Sequence, residues 1–259
     1  MNPKDLNFKI PKECKDYPEC SKFVTTSIEE ILEKVINGKR NIIKIFTNLR
    51  QGLPMENINK IAGPFVEAWA YEVFEDEVED KNNKYKLINV EAQERLNKAD
   101  IILQFEKKRK IEIGITAEVD VKSTSEDFKN SGKSPNITSF ARIRSAYIED
   151  PDYLFIILSL KYRVYSTHNK ETKMMEGIME VVAHNAYDLK YVSSSDINYN
   201  PALGTGQLQI RDIHYVSTET RTSWQFCQLL DKKFLASSRR NINEWLALAK
   251  SHGWIKIDE

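Results

Sequence analysis

The chain has 259 residues, 41% of them hydrophobic and 29% charged, which is enough apolar material for a core and too much charge for a membrane protein. No apolar run reaches the length of a membrane span, and the first residues do not resemble a signal peptide. The 38 basic and 38 acidic residues cancel, so composition alone argues mildly against a nucleic-acid partner.

The first part of the chain is predicted to be helical. A capping box over residues 27–30 predicts a helix that Gly38 ends. A second, short helix is predicted over residues 41–50, and a third over residues 57–78, bent near Gly63 and Pro64. The widely spaced cysteines, Cys14, Cys20 and Cys227, indicate reduced thiols in a cytoplasmic protein.

The middle of the chain has the composition of strands. Residues 99–105 and 111–122 are rich in β-branched side chains, and the basic run at 107–110 between them predicts a hairpin turn. Helices, then clustered strands, then helices predict an α/β layer with a mixed sheet in a single domain. Further elements are predicted in chain order: a helix at 138–148, a strand at 153–165 buried on both faces, strands at 179–187 and 207–214, and helix from 222 to 250.

The second strand of the predicted hairpin carries the candidate catalytic residues. Side chains alternate across a strand, so Asp120 and Lys122 project from the same face, about 7 Å apart. Asp100 begins the preceding strand, and pairing would bring it near them. Two carboxylates and a lysine suit phosphodiester hydrolysis: Asp100 and Asp120 can hold Mg²⁺, and Lys122 can orient water or stabilise negative charge.

The local pattern does not establish this site by itself. An acidic residue two positions before a lysine occurs eight times in the chain, for example at Glu13 and Asp231. The exposed polar face of an edge strand would explain Asp120 and Lys122 equally well. The placement of this pair on a strand beside Asp100 is what distinguishes it.

Four segments in order resemble the EcoRV/HincII group of type II restriction endonucleases, closest to HincII, within the PD-(D/E)xK superfamily. Residues 120–140, DVKSTSEDFKNSGKSPNITSF, resemble the active-site segment, although the loop before Pro135 is longer than expected for the family. Residues 99–103 match the strand with the first acid. Residues 62–71 are similar to a helix that bears a glutamate near the site, here Glu67. Residues 208–224 resemble a strand, a loop and the start of a helix.

The resemblance implies a restriction-endonuclease-like fold, with a mixed central β-sheet flanked by helices. It also implies a homodimer that cuts both strands of a short palindromic duplex, leaving blunt ends. It implies Mg²⁺ as cofactor, with Mn²⁺ able to substitute and Ca²⁺ supporting binding without cleavage. A prokaryotic cytoplasm and a cognate methyltransferase in the host, without direct contact, are expected. Within one domain, 1–259, we expect residues 1–50 to serve dimerisation or DNA wrapping, 51–215 to form the catalytic core, and 216–259 to be helical.

Sequence reading is expected in residues 130–138 and 200–209. Asn and Gln side chains can pair with adenine edges, and Thr can donate or accept. Two glycines would let the backbone approach the groove closely, while the two lysines would hold phosphates. In the resembling family, the segment corresponding to 200–207 lies in the major groove. The candidate DNA-binding residues are Lys129, Lys133, Asn136, Asn200, Gly204, Thr205, Gly206, Gln207 and Gln209; ordinary solvated loops would explain the same composition.

Two other functions remain open from the sequence. A repair or junction-resolving nuclease of the same fold would share the catalytic residues and read DNA structure instead of sequence. A non-catalytic DNA-binding protein would have a degenerate site, against which the intact Asp100, Asp120 and Lys122 argue.

Overall fold

The computed structural model describes residues 6–93, 99–106 and 114–256. No helix in these ranges is both long and apolar enough to cross a membrane. The helices are α1 (Tyr17–Asn37), α2 (Met55–Glu79), α3 (Phe140–Glu149), α4 (Ser223–Leu235) and α5 (Ile242–Ser251). The strands are β1 (Ile42–Ile45), β2 (Leu87–Ala92), β3 (Ile101–Phe105), β4 (Ile115–Ser125), β5 (Asn136–Ser139), β6 (Leu154–His168), β7 (Met175–Asp188), β8 (Ile197–Asn200) and β9 (Gln207–Ile210).

The chain forms two compact units, each built from separated segments. One, here called the sheet unit, comprises residues 21–133 and 155–187, and the other, the helical unit, comprises residues 1–20, 134–154 and 188–259. The prediction of a single domain, with its three functional regions, stays a prediction. The predicted α/β class, a mixed central sheet flanked by helices, is confirmed.

The sheet unit contains six strands in the order β1-β7-β6-β4-β3-β2. β6 lies inside this sheet, between β7 and β4, and its residues from Phe155 to Leu158 are all buried, as its apolar composition predicted. The β3–β4 pair is antiparallel, so the predicted pairing is confirmed, whereas the basic run at 107–110 lies outside the described residues. Helix α2 packs against β1, β2 and β4, and it accommodates Pro64 within its length.

The helical unit contains a three-stranded sheet in the order β5-β9-β8, together with α3, α4 and α5. Its core holds an ion pair: the fully buried guanidinium of Arg144 donates to both oxygens of Asp231, at 2.7 and 2.8 Å. Trp245 donates its indole N–H to the same carboxylate, and Trp254 lies 4.2 Å from the guanidinium. These contacts compensate the cost of burying two charges and link α3 to α4 and α5.

Two predictions for the N-terminal part are wrong. Residues 41–50 were expected to form a helix, but Ile42–Ile45 form β1, which pairs antiparallel with β7. Helix α1 begins at Tyr17 instead of residue 27. Ser27 is buried inside that helix and therefore does not cap it.

Candidate active site

Asp100 is fixed by the β3–β4 pair. Ile101 pairs with Val119, so Asp100 lies across from Asp120, one position further along the register. The Asp100 amide donates to the Val119 carbonyl at 3.0 Å, and the Val121 amide donates to the Asp100 carboxylate at 2.7 Å. The backbone of β4 therefore orients the carboxylate of Asp100.

Asp120 and Lys122 form a contact at the middle of β4. The Lys122 ammonium donates to Asp120 Oδ1 at 2.7 Å, and the two side chains are only 22% and 6% exposed. The other oxygen, Asp120 Oδ2, is buried and has no hydrogen-bond partner among residues 6–93, 99–106 and 114–256. The pair is thus partly shielded from water, and one oxygen of the Asp120 carboxylate lacks a partner within the described residues.

Glu67 contributes a third carboxylate from α2, which packs against β4. Its pKa is raised, chiefly by burial and then by the negative charge of Asp100, while the positive charge of Lys122 opposes the shift. Glu67 therefore lies within electrostatic reach of Asp100 and Lys122. A β-carbon at Gly63, one turn earlier on α2, would contact both Glu67 and Ser123 at 3.9 Å.

The charges in this cluster are mutually dependent. Burial raises the pKa of Asp120 to about 7; the charge of Lys122 opposes the shift, and those of Asp100 and Glu67 add to it. Burial acts to lower the pKa of Lys122, but attraction to Asp120, their hydrogen bond, and the charges of Asp100 and Glu67 leave it above its ordinary value. The lysine is therefore a stable cation, whereas negative charge on Asp120 and Glu67 is costly without a further cation.

A divalent cation fits the donors at this site. Hard divalent ions prefer carboxylate oxygens, and the buried, unpartnered Asp120 Oδ2 is such a donor beside Asp100. Within the described ranges, no group of three or more His, Cys, Asp or Glu side chains is placed to hold a metal ion unaided. Mg²⁺ does not require such a group, since it is commonly held by one or two carboxylates, with water and substrate phosphate completing its shell.

Several of the candidate base-reading residues meet on the three-stranded sheet of the helical unit. The Asn136 side-chain oxygen accepts from Gln209 at 3.0 Å and from Asn200 at 3.3 Å. Gln209 also donates to the Ser134 carbonyl. β9 lies between β5 and β8 and brings these three amides together, with Asn136 the most exposed of them.

The other candidates lie in turns or at strand ends. Lys129 and Lys133 are exposed in the segment between β4 and β5. Gly204, Thr205 and Gly206 lie between β8 and β9, with Gly204 and Gly206 at φ of +50° and +90°. Gln207 begins β9, where it pairs with Ser139 on one side and Asn200 on the other.

Sequence reasoning did not single out Arg240, which donates three hydrogen bonds around residues 199–204. No local pattern marks it, because the neighbouring Arg239 has the same side chain and is exposed. Only the folded arrangement of the residues after α4 separates the two.

Comparison with known proteins gives the family. Residues 4–253 match the family described as "Type II restriction endonuclease HpaI". The chain is 55% identical over 256 residues to the "Type II restriction enzyme HpaI" of Haemophilus parainfluenzae, covering 99% of this chain and 100% of that relative. A solved structure, the NlaIV restriction endonuclease, is similar at a TM-score of 0.44 and 13% identity, covering 88% of this chain and 90% of that one. The first two matches confirm the predicted resemblance to type II restriction endonucleases: the chain belongs to the HpaI family of these enzymes.

Proposed function

We propose that this protein is a Mg²⁺-dependent homodimer that hydrolyses both strands of a short palindromic duplex site and leaves blunt ends. Family membership makes it a site-specific endonuclease acting on duplex DNA, and type II restriction endonucleases generally use divalent metal ions. The choice of Mg²⁺, the symmetry of the site and the form of the ends are our proposals. They are consistent with one acidic cluster per chain, since two chains related by a two-fold axis would present one cluster to each strand.

The observation that carries the catalytic assignment is the buried contact between Asp120 and Lys122 beside Asp100. In our proposal Asp100 and Asp120 hold Mg²⁺, which would polarise the scissile phosphate and help generate hydroxide from water. Lys122, held by Asp120 and kept cationic, orients the attacking water or stabilises the negative charge that develops on the phosphate.

Glu67 is assigned a supporting role in the same cluster. Its carboxylate adds negative charge on the side of α2. It lies close enough to Asp100 and Lys122 for their charges to shift its pKa. We propose that this charge helps to retain the cation and to hold Lys122 in its protonated form. A glutamine at this position would keep the shape and remove the charge.

Base reading is assigned to residues 130–138 and 200–209. The amide cluster of Asn136, Asn200 and Gln209 supports this assignment, because amides pair with adenine edges. Gln207 and Thr205 would add contacts, and Lys129 and Lys133 would hold phosphates. Gly204, with open space beside it, would permit close approach of the backbone, whereas Gly206 is buried against Tyr199 and would only shape the turn. A cognate methyltransferase would protect host DNA in the prokaryotic cytoplasm without touching this protein.

A direct experiment tests the proposed reaction. A random-sequence linear duplex library is digested with the purified protein and Mg²⁺, and both ends of every product are sequenced. We expect one palindromic site, cut at its centre on both strands. Staggered ends would refute the blunt cut, and an asymmetric site would refute the two-fold arrangement. Absence of cleavage with Mg²⁺ would refute the proposal that Mg²⁺ is the cofactor.

A further inference from the structure

Arg240 holds the loop between β8 and β9, residues 201–206, at several points. Its Nη2 donates to the carbonyls of Pro201 at 3.0 Å and Gly204 at 2.7 Å. Its Nε donates to the hydroxyl of Tyr199 at 2.9 Å. One guanidinium therefore joins the strand end before the loop to two carbonyls within it.

Tyr199 extends this network to the far side of the loop. Its hydroxyl donates to the Thr205 carbonyl at 2.8 Å while accepting from Arg240. Its ring packs against Phe140 and Phe234, with centroids 5.8 and 5.3 Å away, so the hydroxyl is held in place. Because the ring is anchored in the core, the contacts of Arg240 tie the loop to the rest of the helical unit.

The loop has a conformation that requires such support. Gly206 has φ of +90°, and a β-carbon there would lie only 2.1 Å from the Tyr199 hydroxyl, so another residue would displace the anchor. Its amide donates to the Leu203 carbonyl at 2.7 Å, which closes a tight turn. Leu203 is 59% exposed and makes little apolar contact that could hold the turn instead.

We infer that Arg240 is a positioning residue for sequence recognition: it fixes the β8–β9 loop so that Asn200, Thr205 and Gln207 are presented in one arrangement. This inference rests on the proposed function, in which those residues read bases. A loop that is ordered before binding loses less conformational entropy when it contacts DNA. The smaller entropy loss favours binding to the DNA sequence that matches the arrangement of the loop. The partners of Arg240 are two carbonyls and a hydroxyl, which are uncharged. Its role therefore depends on the several N–H donors of its planar guanidinium as well as on its charge.

The test compares Arg240→Met with Arg239→Met. Both remove one positive charge from adjacent positions, but Arg239 is exposed and only Arg240 donates to the loop. We expect Arg240→Met to lower the ratio of cognate to one-base-changed cleavage rates by at least about 10-fold, the scale of one lost base contact. Arg239→Met should leave that ratio unchanged, and equal effects of the two variants would assign the effect to charge and overturn the inference.

A second measurement needs no DNA. Hydrogen exchange of the amides of residues 202–206 should accelerate by at least about 10-fold in Arg240→Met and stay unchanged in Arg239→Met, because released turns open more often. Tyr199→Phe, which keeps the ring and removes the hydroxyl, should give the same direction and add little to Arg240→Met. Unchanged exchange in both Arg240→Met and Tyr199→Phe would overturn the inference even if either variant lost activity.

Failure of the inference can be told from failure of the proposed function. Asn200→Ala and Gln207→Ala test base reading itself. If these two variants lower discrimination between cognate and one-base-changed sites while Arg240→Met does not, base reading is supported and the positioning role of Arg240 is refuted. If none of the three changes discrimination, base reading by this loop fails, and the role inferred for Arg240 fails with it.

Discussion

The carboxylate of a single residue, Asp120, has a negative charge that is costly in the folded protein, and we propose that it is useful in the reaction. It is buried, its pKa is raised to about 7 by that burial, and only one of its oxygens contacts Lys122. The neighbouring acids, Asp100 and Glu67, increase the cost of its negative charge. A cation bound between the acids, as proposed, would relieve that cost and would couple stability to metal binding at this residue.

We predict that Asp120→Ala and Lys122→Ala each reduce cleavage at least about 100-fold, as expected when a charged group acting on the transition state is removed. Asp100→Asn should behave alike, because the proposed metal ligand loses its charge. Cleavage rates under single-turnover conditions in Mg²⁺ measure the effect, and circular dichroism checks the fold.

The matched control is Glu118→Ala, two residues before Asp120 and half-exposed on the same strand. This variant should cleave at nearly the normal rate. If Glu118→Ala is inactive while Asp120→Ala is active, Glu118 is the ligand and the assignment to Asp120 is wrong.

His184 on β7 gives a pH-dependent stability. Burial lowers its pKa below the ordinary 6.5, although Glu29 and Glu33 oppose the shift, and its Nδ1 is buried without a partner in the described part of the chain. The unfolded chain therefore binds a proton more readily. The stability that the neutral imidazole contributes is present above pH 6.5 and is lost as pH falls through that value toward the lower folded pKa.

We predict that the denaturant midpoint falls less between pH 7.5 and pH 5.5 in His184→Gln than in the unsubstituted protein. His168→Gln is the control, because His168 is exposed at the end of β6. Urea unfolding followed by tryptophan fluorescence measures both. An identical pH dependence in all three proteins would exclude His184 as the source.

At the scale of elements, the long periodic or apolar segments could be predicted and the short ones could not. β6 and α2 were predicted because apolar composition or periodicity continues over many residues. β1 was missed because four residues such as Ile42–Ile45 are too few to show a strand period, and pairing with β7 decides their state. The start of α1 was missed because the capping pattern at Ser27 is local, whereas the apolar side chains of Val24, Ile28 and Ile31 pack into the core and continue the helix through it.

Part of the candidate active site could be predicted because it lies on two strands that are neighbours in the sequence. Asp100 and Asp120 could be placed together because the hairpin pairing of two strands fixes which residues are neighbours. The amide cluster of Asn136 and Gln209 depends on a three-stranded sheet whose strands are four residues long and far apart in the chain. No local pattern could have revealed that pairing.

The next prediction concerns base reading by residues on β5 and β9. We expect Asn136→Ala and Gln207→Ala each to cost roughly 1–3 kcal/mol of discrimination between the cognate site and a site with one changed base. Cleavage rates on the two duplexes give the ratio directly. Normal cognate cleavage with full discrimination in both variants would place base reading elsewhere in the protein.

At the scale of the whole molecule, the choice of cation should separate DNA binding from DNA cleavage. Ca²⁺ shares the oxygen ligands of Mg²⁺ but holds them in a looser geometry, so we predict tight binding of the cognate duplex in Ca²⁺ without cutting. Gel-shift titration and a parallel cleavage assay measure the two. Rapid cutting in Ca²⁺ would contradict the geometric demand that we place on the site.

Binding of any duplex should also weaken as salt rises, because phosphate contacts release counterions. Lys129→Gln should weaken binding to all sequences alike and reduce the slope of log affinity against log salt by about 1. If Lys129→Gln changes discrimination and leaves the slope unaltered, its role is in base reading.

The two compact units have one consequence for how such an enzyme can acquire a new target. The acidic cluster lies in the sheet unit, whereas Asn136, Asn200 and Gln209 belong to the helical unit, which is assembled from residues 1–20, 134–154 and 188–259. A hybrid gene made by one crossover between two relatives would therefore join fragments of both units, so that contacts inside each unit would form between residues of different parents. If the helical unit reads the bases, as proposed, we expect new specificity to accumulate by point substitution on its strands and loops.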